Sequence, residues 1–132
     1  MKNNKGDEAR LVNEWLIKGQ NDLKAARILY REKGPSDTLC FHCHQATEKY
    51  LKAYLVFQKI HFEKIHHLWQ LAKICAQKDK DFLKFEETFK SLDAYYIESR
   101  YPSEVSVYPR EESKKTLALA DELTQFIAQK IK

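Results

Sequence analysis

The densest apolar pattern in the chain extends from Cys40 to Gln58, with the sequence CFHCHQATEKYLKAYLVFQ. At about 100° per residue, one side of this segment forms the apolar stripe that a helix presents to a core. The stripe consists of Leu39, Cys43, Ala46, Thr47, Tyr50, Tyr54 and Phe57. The other side mixes apolar and polar residues: Phe41, Leu55 and Val56 with Gln45, Glu48, Lys49 and Lys52. A helix that is apolar on two sides is covered on two sides, so the pattern predicts a central helix whose second side meets another helix or another subunit.

Helical periodicity also predicts an element on either side of this segment. The first helix extends from Asp7 to about Lys33, where Gly34-Pro35 ends it. Ser36-Asp37 is suited to cap the central helix, which continues to about Lys59. After a short connection, a third helix is expected from His66 to about Gln77.

The last third of the chain predicts two further helices. Asp79 or Asp81 is suited to cap a fourth helix that ends near Ser99 or Arg100. The prolines in residues 101–109 interrupt the helical pattern, because each removes a backbone donor and restricts the residue before it. The last helix begins near Glu111 and continues to about Ile131.

Five helices with mostly short connections predict an all-α fold, an antiparallel up-and-down bundle. The chain has 132 residues, which is enough to bury a core without disulfides. We predict a disordered tail at residues 1–6 and a single domain at residues 7–132. The 101–109 loop is the longest connection, and long ordered loops are frequent sites of function.

Composition excludes some classes of protein and leaves others open. The net charge of +4 comes from basic and acidic residues that are mixed along the chain, so it permits nucleic-acid binding without indicating it. No apolar run is long enough to span a membrane, and the first ten residues lack the apolar stretch of a signal peptide. We therefore expect a cytoplasmic protein with no membrane contact and three reduced cysteines.

The cysteines and histidines of the central helix are residue types that bind haem or zinc, but their pattern does not support either. Cys40-Phe41-His42-Cys43-His44 matches the C-x-x-C-H motif of c-type haem attachment, which requires export. Zinc bound by Cys40, Cys43 and His44 with a later histidine is a second interpretation, but Cys43 belongs to the core stripe. Glycines occur only at positions 6, 19 and 34, which excludes a glycine-rich phosphate loop. We predict no metal and no cofactor.

A second candidate site lies at the end of the fourth predicted helix, in the sequence YYIESRYP. Arg100 could present a planar guanidinium to a phosphate, with Tyr101 as a stacking surface. Alternatively, Arg100 neutralises its own helix end and pairs with Glu98 or Glu104.

Taken in order, three of these segments resemble a known family. The sequence CFHCHQATEKYLKAYLVFQ, then IHHLWQL, then YYIESRYPSE resembles the higher eukaryotes and prokaryotes nucleotide-binding (HEPN) domain family, and the first helix with residues 21–26 fits as well. The resemblance implies a bundle of four long helices plus a short one, usually dimeric, with a cleft between subunits. Such proteins often occur beside small nucleotidyltransferases; some are ribonuclease toxins held in check by that partner, and others are nucleotide-binding accessory domains.

The resemblance assigns two motifs to this chain. The first falls on Phe41, His44, Gln45, Glu48, Lys49, Leu51 and Lys52, and the second on Tyr96, Ile97, Arg100, Tyr101 and Pro102. Ribonuclease members place a histidine about four to six residues after the arginine, where it serves the proton transfers. This chain has Val105, Ser106 and Val107 there and no histidine beyond His67. The missing imidazole argues against nuclease activity at this motif.

We therefore expect a non-catalytic nucleotide- or phosphate-binding protein that forms a homodimer and works with a nucleotidyltransferase partner. The expected ligand, a nucleotide or RNA, would contact Gln45, Glu48, Lys49, Lys52, Glu98, Arg100 and Tyr101. Phe41, Leu55 and Val56 would form the dimer interface. The alternatives are a ribonuclease toxin of a toxin–antitoxin pair, with His44 or Glu48 replacing the missing histidine, and a purely structural dimerisation module.

Overall fold

The computed structural model describes residues 5–96 and 107–132, and within these ranges it contains helices and no strands. Three helices are long: α1 (Lys5–Arg31), α2 (Ser36–Phe57) and α5 (Arg110–Lys130). Two have eight residues each, α3 (Leu68–Cys75) and α4 (Glu86–Asp93). The predicted all-α helical bundle is confirmed. No helix among the described residues is long and apolar enough to cross a membrane.

Helix α2 lies at the centre of the bundle and contacts each of the other four helices in the described ranges. Thirteen of its 22 residues are buried, which confirms that it is covered on two sides. The second side is covered by α3 and α4 of the same chain. Leu55, which was expected in a dimer interface, is 0% exposed in the single chain and packs in this core. Phe41 and Val56 are only half-buried.

Helices α1 and α2 end in the same way. Lys33 (φ 58°) and Lys59 (φ 60°) adopt the left-handed conformation that glycine usually supplies after a helix. In each case the next amide donates back to a carbonyl five residues earlier, Gly34 N to Leu29 O at 2.7 Å and Ile60 N to Leu55 O at 2.9 Å. The left-handed residue that ends α1 is therefore Lys33, one position before the glycine that the sequence predicted for this role.

The predicted serine cap of α2 is replaced by a contact between distant segments. Ser36 is the first helical residue, and its hydroxyl accepts the amide of Tyr108 at 2.7 Å, which fixes the segment before α5 against the start of α2. Asp37 lies in the first turn, where its negative charge interacts favourably with the positive end of the helix dipole. Its side chain also accepts a hydrogen bond from the Thr38 amide at 2.8 Å.

The fourth predicted helix is divided and shorter than expected. Asp79 accepts the Asp81 amide at 2.9 Å and begins a 3₁₀ segment, Lys80–Phe85, before α4 starts. Helix α4 ends at Asp93 rather than near Ser99, and the tighter bonds Tyr95 N to Leu92 O and Tyr96 N to Asp93 O close it. This early end places Asp93 beside the start of α3.

Candidate functional site

Helix α2 carries a row of three polar residues into the interior, His44, Glu48 and Lys52. The spacing of four places them on one side of the helix, and they are 0%, 4% and 7% exposed. Burying a charge costs several kcal/mol unless the charge is paired and hydrogen-bonded. The partners of this row therefore decide whether the arrangement is stable.

Glu48 connects the first part of the row to other side chains. Its Oε2 accepts Lys52 Nζ at 2.7 Å and lies 3.2 Å from His66 Nδ1. The Lys52 ammonium also lies 5.5 Å from the centroid of the Trp15 ring on α1, a distance suited to a cation–π contact. One carboxylate oxygen thus holds two donors from two different segments.

Asp93 forms the second part, at the junction of α3 and α4. Its carboxylate accepts the amides of Leu68 at 2.6 Å and Trp69 at 3.1 Å, so it caps α3 from another helix. His44 Nε2 lies 3.4 Å from Asp93 Oδ1. Burial favours a raised pKa for Asp93, but the His44 imidazole and the two amides outweigh it and lower the pKa below its ordinary value.

Tyr96 packs against the histidines of this region. Its ring stacks on His44 with centroids 5.2 Å apart and on His66 at 5.5 Å, and it meets the edge of His67 at 5.8 Å. His66 and His67 have side chains 39% and 56% exposed, whereas that of His44 is fully buried. We call His44, Glu48, Lys52, His66 and Asp93 the central polar cluster.

Glu48 Oε1 is buried and has no hydrogen-bond partner among the described residues, and His44 Nε2 approaches Asp93 Oδ1 at 3.4 Å without the geometry of a hydrogen bond. His44 Nδ1 lies 3.1 Å from Gln45 Oε1 and 3.9 Å from Glu48 Oε1. The ring therefore faces acceptors at both nitrogens, and Glu48 Oε1 receives no donor. Buried polar atoms in native proteins are nearly always paired, and exceptions concentrate where water, an ion or a ligand binds.

A second polar group lies between α1 and α2. Asp22 is 8% exposed, and its two oxygens contact His42 Nδ1 at 2.8 Å and Lys49 Nζ at 2.6 Å. We call these three residues the α1–α2 clip. Lys49 thus pairs with α1, apart from Glu48 and Lys52, although the sequence pattern grouped the three together.

The predicted site residues fall into three sets. Glu48 and Lys52 lie in the central polar cluster with Gln45 beside His44. Lys49 lies in the α1–α2 clip. The other three predicted ligand contacts, Glu98, Arg100 and Tyr101, lie outside the described residues.

Sequence reasoning missed two members of the central polar cluster. His66 was expected only as the start of the third helix; it lies just before α3, whose first amides are occupied by Asp93. Asp93 gave no signal in the sequence, because its role depends on where α4 ends in three dimensions.

The cysteines are buried thiols. Burial raises the pKa of Cys40 to about 11, and it raises the pKa of Cys43 and Cys75 as well. Cys40 faces Thr116 and Ser113 of α5, whereas His44 faces Asp93. Across residues 5–96 and 107–132, no three His, Cys, Asp or Glu side chains are arranged to hold a metal ion.

Comparison with known proteins identifies the fold and the family. The profile of the HEPN domain matches residues 12–131. The crystal structure of an archaeal HEPN homologue superposes with a TM-score of 0.73 at 23% identity, covering 92% of this chain and 98% of that one. A crystal structure of a protein from Thermus thermophilus gives a TM-score of 0.70 at 25% identity, covering 90% and 97%. Comparison with curated proteins gave no significant match.

Proposed function

The chain belongs to the HEPN domain family, and from this premise we propose that it is a non-catalytic nucleotide-binding member that works with a nucleotidyltransferase partner. The partner follows from the family resemblance. The observation that carries the binding proposal is the central polar cluster, in which Glu48 Oε1 is buried without a hydrogen-bond partner among the described residues. Leaving such an atom unpaired costs about 1–3 kcal/mol, and buried atoms of this kind concentrate where water, an ion or a ligand binds.

The lysines of α2 are poor candidates for the phosphate. Lys52 is held by Glu48 and Lys49 by Asp22, at 2.7 and 2.6 Å, so a phosphate would have to displace a carboxylate in either case. We assign the phosphate to Arg100, with stacking of the base on Tyr101 and a supporting contact from Glu98. Gln45 and Glu48 are left to contact the uncharged part of the nucleotide.

A homodimer remains part of the proposal, with a smaller interface on α2 than the sequence suggested. Phe41 and Val56 are half-buried in the single chain and leave apolar surface for a second copy. Substituting Phe41 by Asp should give monomers, with α-helical content unchanged, in a measurement of mass by light scattering. A dimer of undiminished stability would remove this surface from the interface.

The proposed function is tested by calorimetric titration of the protein with the four ribonucleoside triphosphates and a short single-stranded RNA. We expect saturable micromolar binding that is lost in Arg100→Ala and kept in Arg10→Ala, a control at an exposed arginine that pairs with Asp7 on the same helix, α1. Absence of binding to every ligand, from a well-folded protein, contradicts the proposal. RNA cleaved during the titration and intact with Arg100→Ala would replace it with the ribonuclease alternative.

A further inference from the structure

A cavity of about 540 Å³ lies where the end of α1 meets the starts of α2 and α5. Its lining, in the described part of the chain, shares no residue with the central polar cluster or the α1–α2 clip. Most of the wall is apolar or aromatic, formed by Leu29, Tyr30, Pro35, Leu39 and Tyr108. Sites for small molecules usually measure about 300–1,000 Å³ and are apolar in this way. The cavity therefore has the size and the wall of a small-molecule site.

Val107 extends the apolar wall of this cavity to the solvent. It lines the cavity, and 93% of the residue is exposed. The neighbouring Tyr108 is held in place, because its amide donates to the Ser36 hydroxyl at 2.7 Å and its ring meets that of Tyr95 with centroids 5.2 Å apart. An apolar ligand that packs against Val107 would remove this side chain from water, which is favourable.

The charged residues of the cavity leave a surplus of positive charge. Two cations, Lys33 and Arg110, and one carboxylate, Asp37, line it. The Arg110 guanidinium carbon lies 3.7 Å from the centroid of the Tyr30 ring, and Nη1 donates to the Tyr30 carbonyl at 2.9 Å. These contacts fix the guanidinium but use only one of its N–H groups among the described residues. The remaining N–H groups can meet an anion.

The charge and the wall together indicate the class of ligand. The Ser36 oxygen accepts the Tyr108 amide and keeps its own O–H to donate beside the two cations. One surplus positive charge suits a monoanion. A nucleoside triphosphate fits poorly, because its charge is several times larger and its sugar would place polar atoms against an apolar wall without partners.

From these observations we propose that the cavity binds a small organic acid, a monoanion with an apolar body about the size of an aromatic ring. The carboxylate contacts Arg110, and the body packs against Leu39 and Val107. This site and this ligand class go beyond the proposed nucleotide binding, which is assigned to other residues.

The test is an NMR titration of the isotope-labelled full chain with cinnamate and with cinnamamide, which has the same ring and no charge. We expect amide shifts that saturate and concentrate at residues 29–39 and 107–113, the segments that line the cavity. Cinnamate should bind about tenfold more tightly than cinnamamide. This is the lower end of the range for a hydrogen bond to a charged group, because Arg110 is exposed to solvent.

Two pairs of variants locate the charge and the apolar wall. Arg110→Ala should reduce the preference for cinnamate to about threefold or less, whereas Arg31→Ala should keep it, since Arg31 is exposed, pairs with Glu32 and does not line the cavity. Val107→Asp should weaken cinnamate binding about fivefold or more, because it removes apolar contact and adds a like charge. Leu83→Asp, at an exposed apolar residue of the 3₁₀ segment, should leave it unchanged.

Each other outcome overturns a stated part of the proposal. Equal affinity for the two ligands overturns the assignment of an anion. Shifts concentrated elsewhere, or binding that Arg110→Ala and Val107→Asp both leave unchanged, overturn the site. ATP that displaces cinnamate from the same amides overturns the separate ligand class. Absence of any shift overturns the whole proposal and leaves nucleotide binding in place. Should Arg110→Ala fail to fold, Val107→Asp and the comparison of the two ligands in wild type still decide.

Discussion

The two polar groups that involve α2 combine the same types of side chain, carboxylates, imidazoles and a lysine. They differ in whether every carboxylate oxygen has a hydrogen-bond donor. In the α1–α2 clip, each oxygen of Asp22 has one donor, His42 on one side and Lys49 on the other. In the central polar cluster, Glu48 Oε2 takes both Lys52 and His66 while Oε1 takes none among the described residues. A complete network fastens two helices; an incomplete one in a buried position is where a ligand is expected.

The two groups also differ in burial, and burial sets what their charges contribute. The side chains of Glu48 and Lys52 are 5% and 8% exposed, whereas that of Lys49 is 24% exposed and that of His42 29%. A half-exposed cation that loses its partner turns to water, but a buried carboxylate that loses its partner cannot. Substitutions in the central polar cluster should therefore have the larger effects on stability.

The largest effect is expected for Lys52→Met. It leaves Glu48 buried with only His66 as a donor, and breaking a buried pair costs about 3–5 kcal/mol. Urea denaturation measures this loss. The matched variant with Glu48→Met in addition removes both charges and should recover most of it, because an apolar pair of similar volume is often as stable. If the double variant is no more stable than the single one, the loss is due to packing rather than to an uncompensated charge.

Asp93→Ala should cost about 2 kcal/mol. The substitution removes the side-chain cap on the Leu68 and Trp69 amides, a contribution of about 0.5–2 kcal/mol for an N-cap, and it takes an acceptor away from His44. Thermal unfolding with Asp93→Asn as the partner variant separates the two contributions, since the amide oxygen can still cap. A stability equal to that of wild type would show that α3 does not need this cap.

In the α1–α2 clip, Asp22→Asn should cost about 1 kcal/mol. The amide keeps one acceptor for Lys49 or His42, and both of these side chains reach solvent, so the loss is that of an ordinary hydrogen bond rather than of a stranded charge. The same urea assay used for Lys52→Met gives a direct comparison. A loss as large as that of Lys52→Met would contradict the distinction between the two groups.

The smallest effect expected is in the dependence of stability on pH. The pKa of Asp93 is lower in the folded protein than its ordinary value of 3.8, so its ionised form stabilises the fold. That contribution is complete above the unfolded pKa and is lost as the pH falls through the folded one. Between pH 5 and about pH 2.5, wild type should lose more stability than Asp93→Asn does. Parallel losses in the two proteins would show that another group is responsible.

The parts of the structure that could be predicted from sequence are those that depend on local pattern. The central position of α2 followed from apolar residues such as Phe41 and Leu55 on its polar side, and the bundle followed from helical periodicity. Asp93 could not be predicted, because a capping role between α4 and α3 depends on the early end of α4. The separation of Lys49 from Lys52 depended on the position of Asp22 on α1, which no spacing within α2 reveals.

The most direct test of the account is a paired titration of Glu48→Gln and Asp22→Asn with the nucleotide that binds wild type. We predict that Glu48→Gln binds at least about tenfold more weakly, because a charged acceptor in the ligand site is replaced by a neutral one, and that Asp22→Asn binds as wild type does. If folded Glu48→Gln binds as wild type while Asp22→Asn loses affinity, the ligand site lies at the α1–α2 clip and the account is wrong.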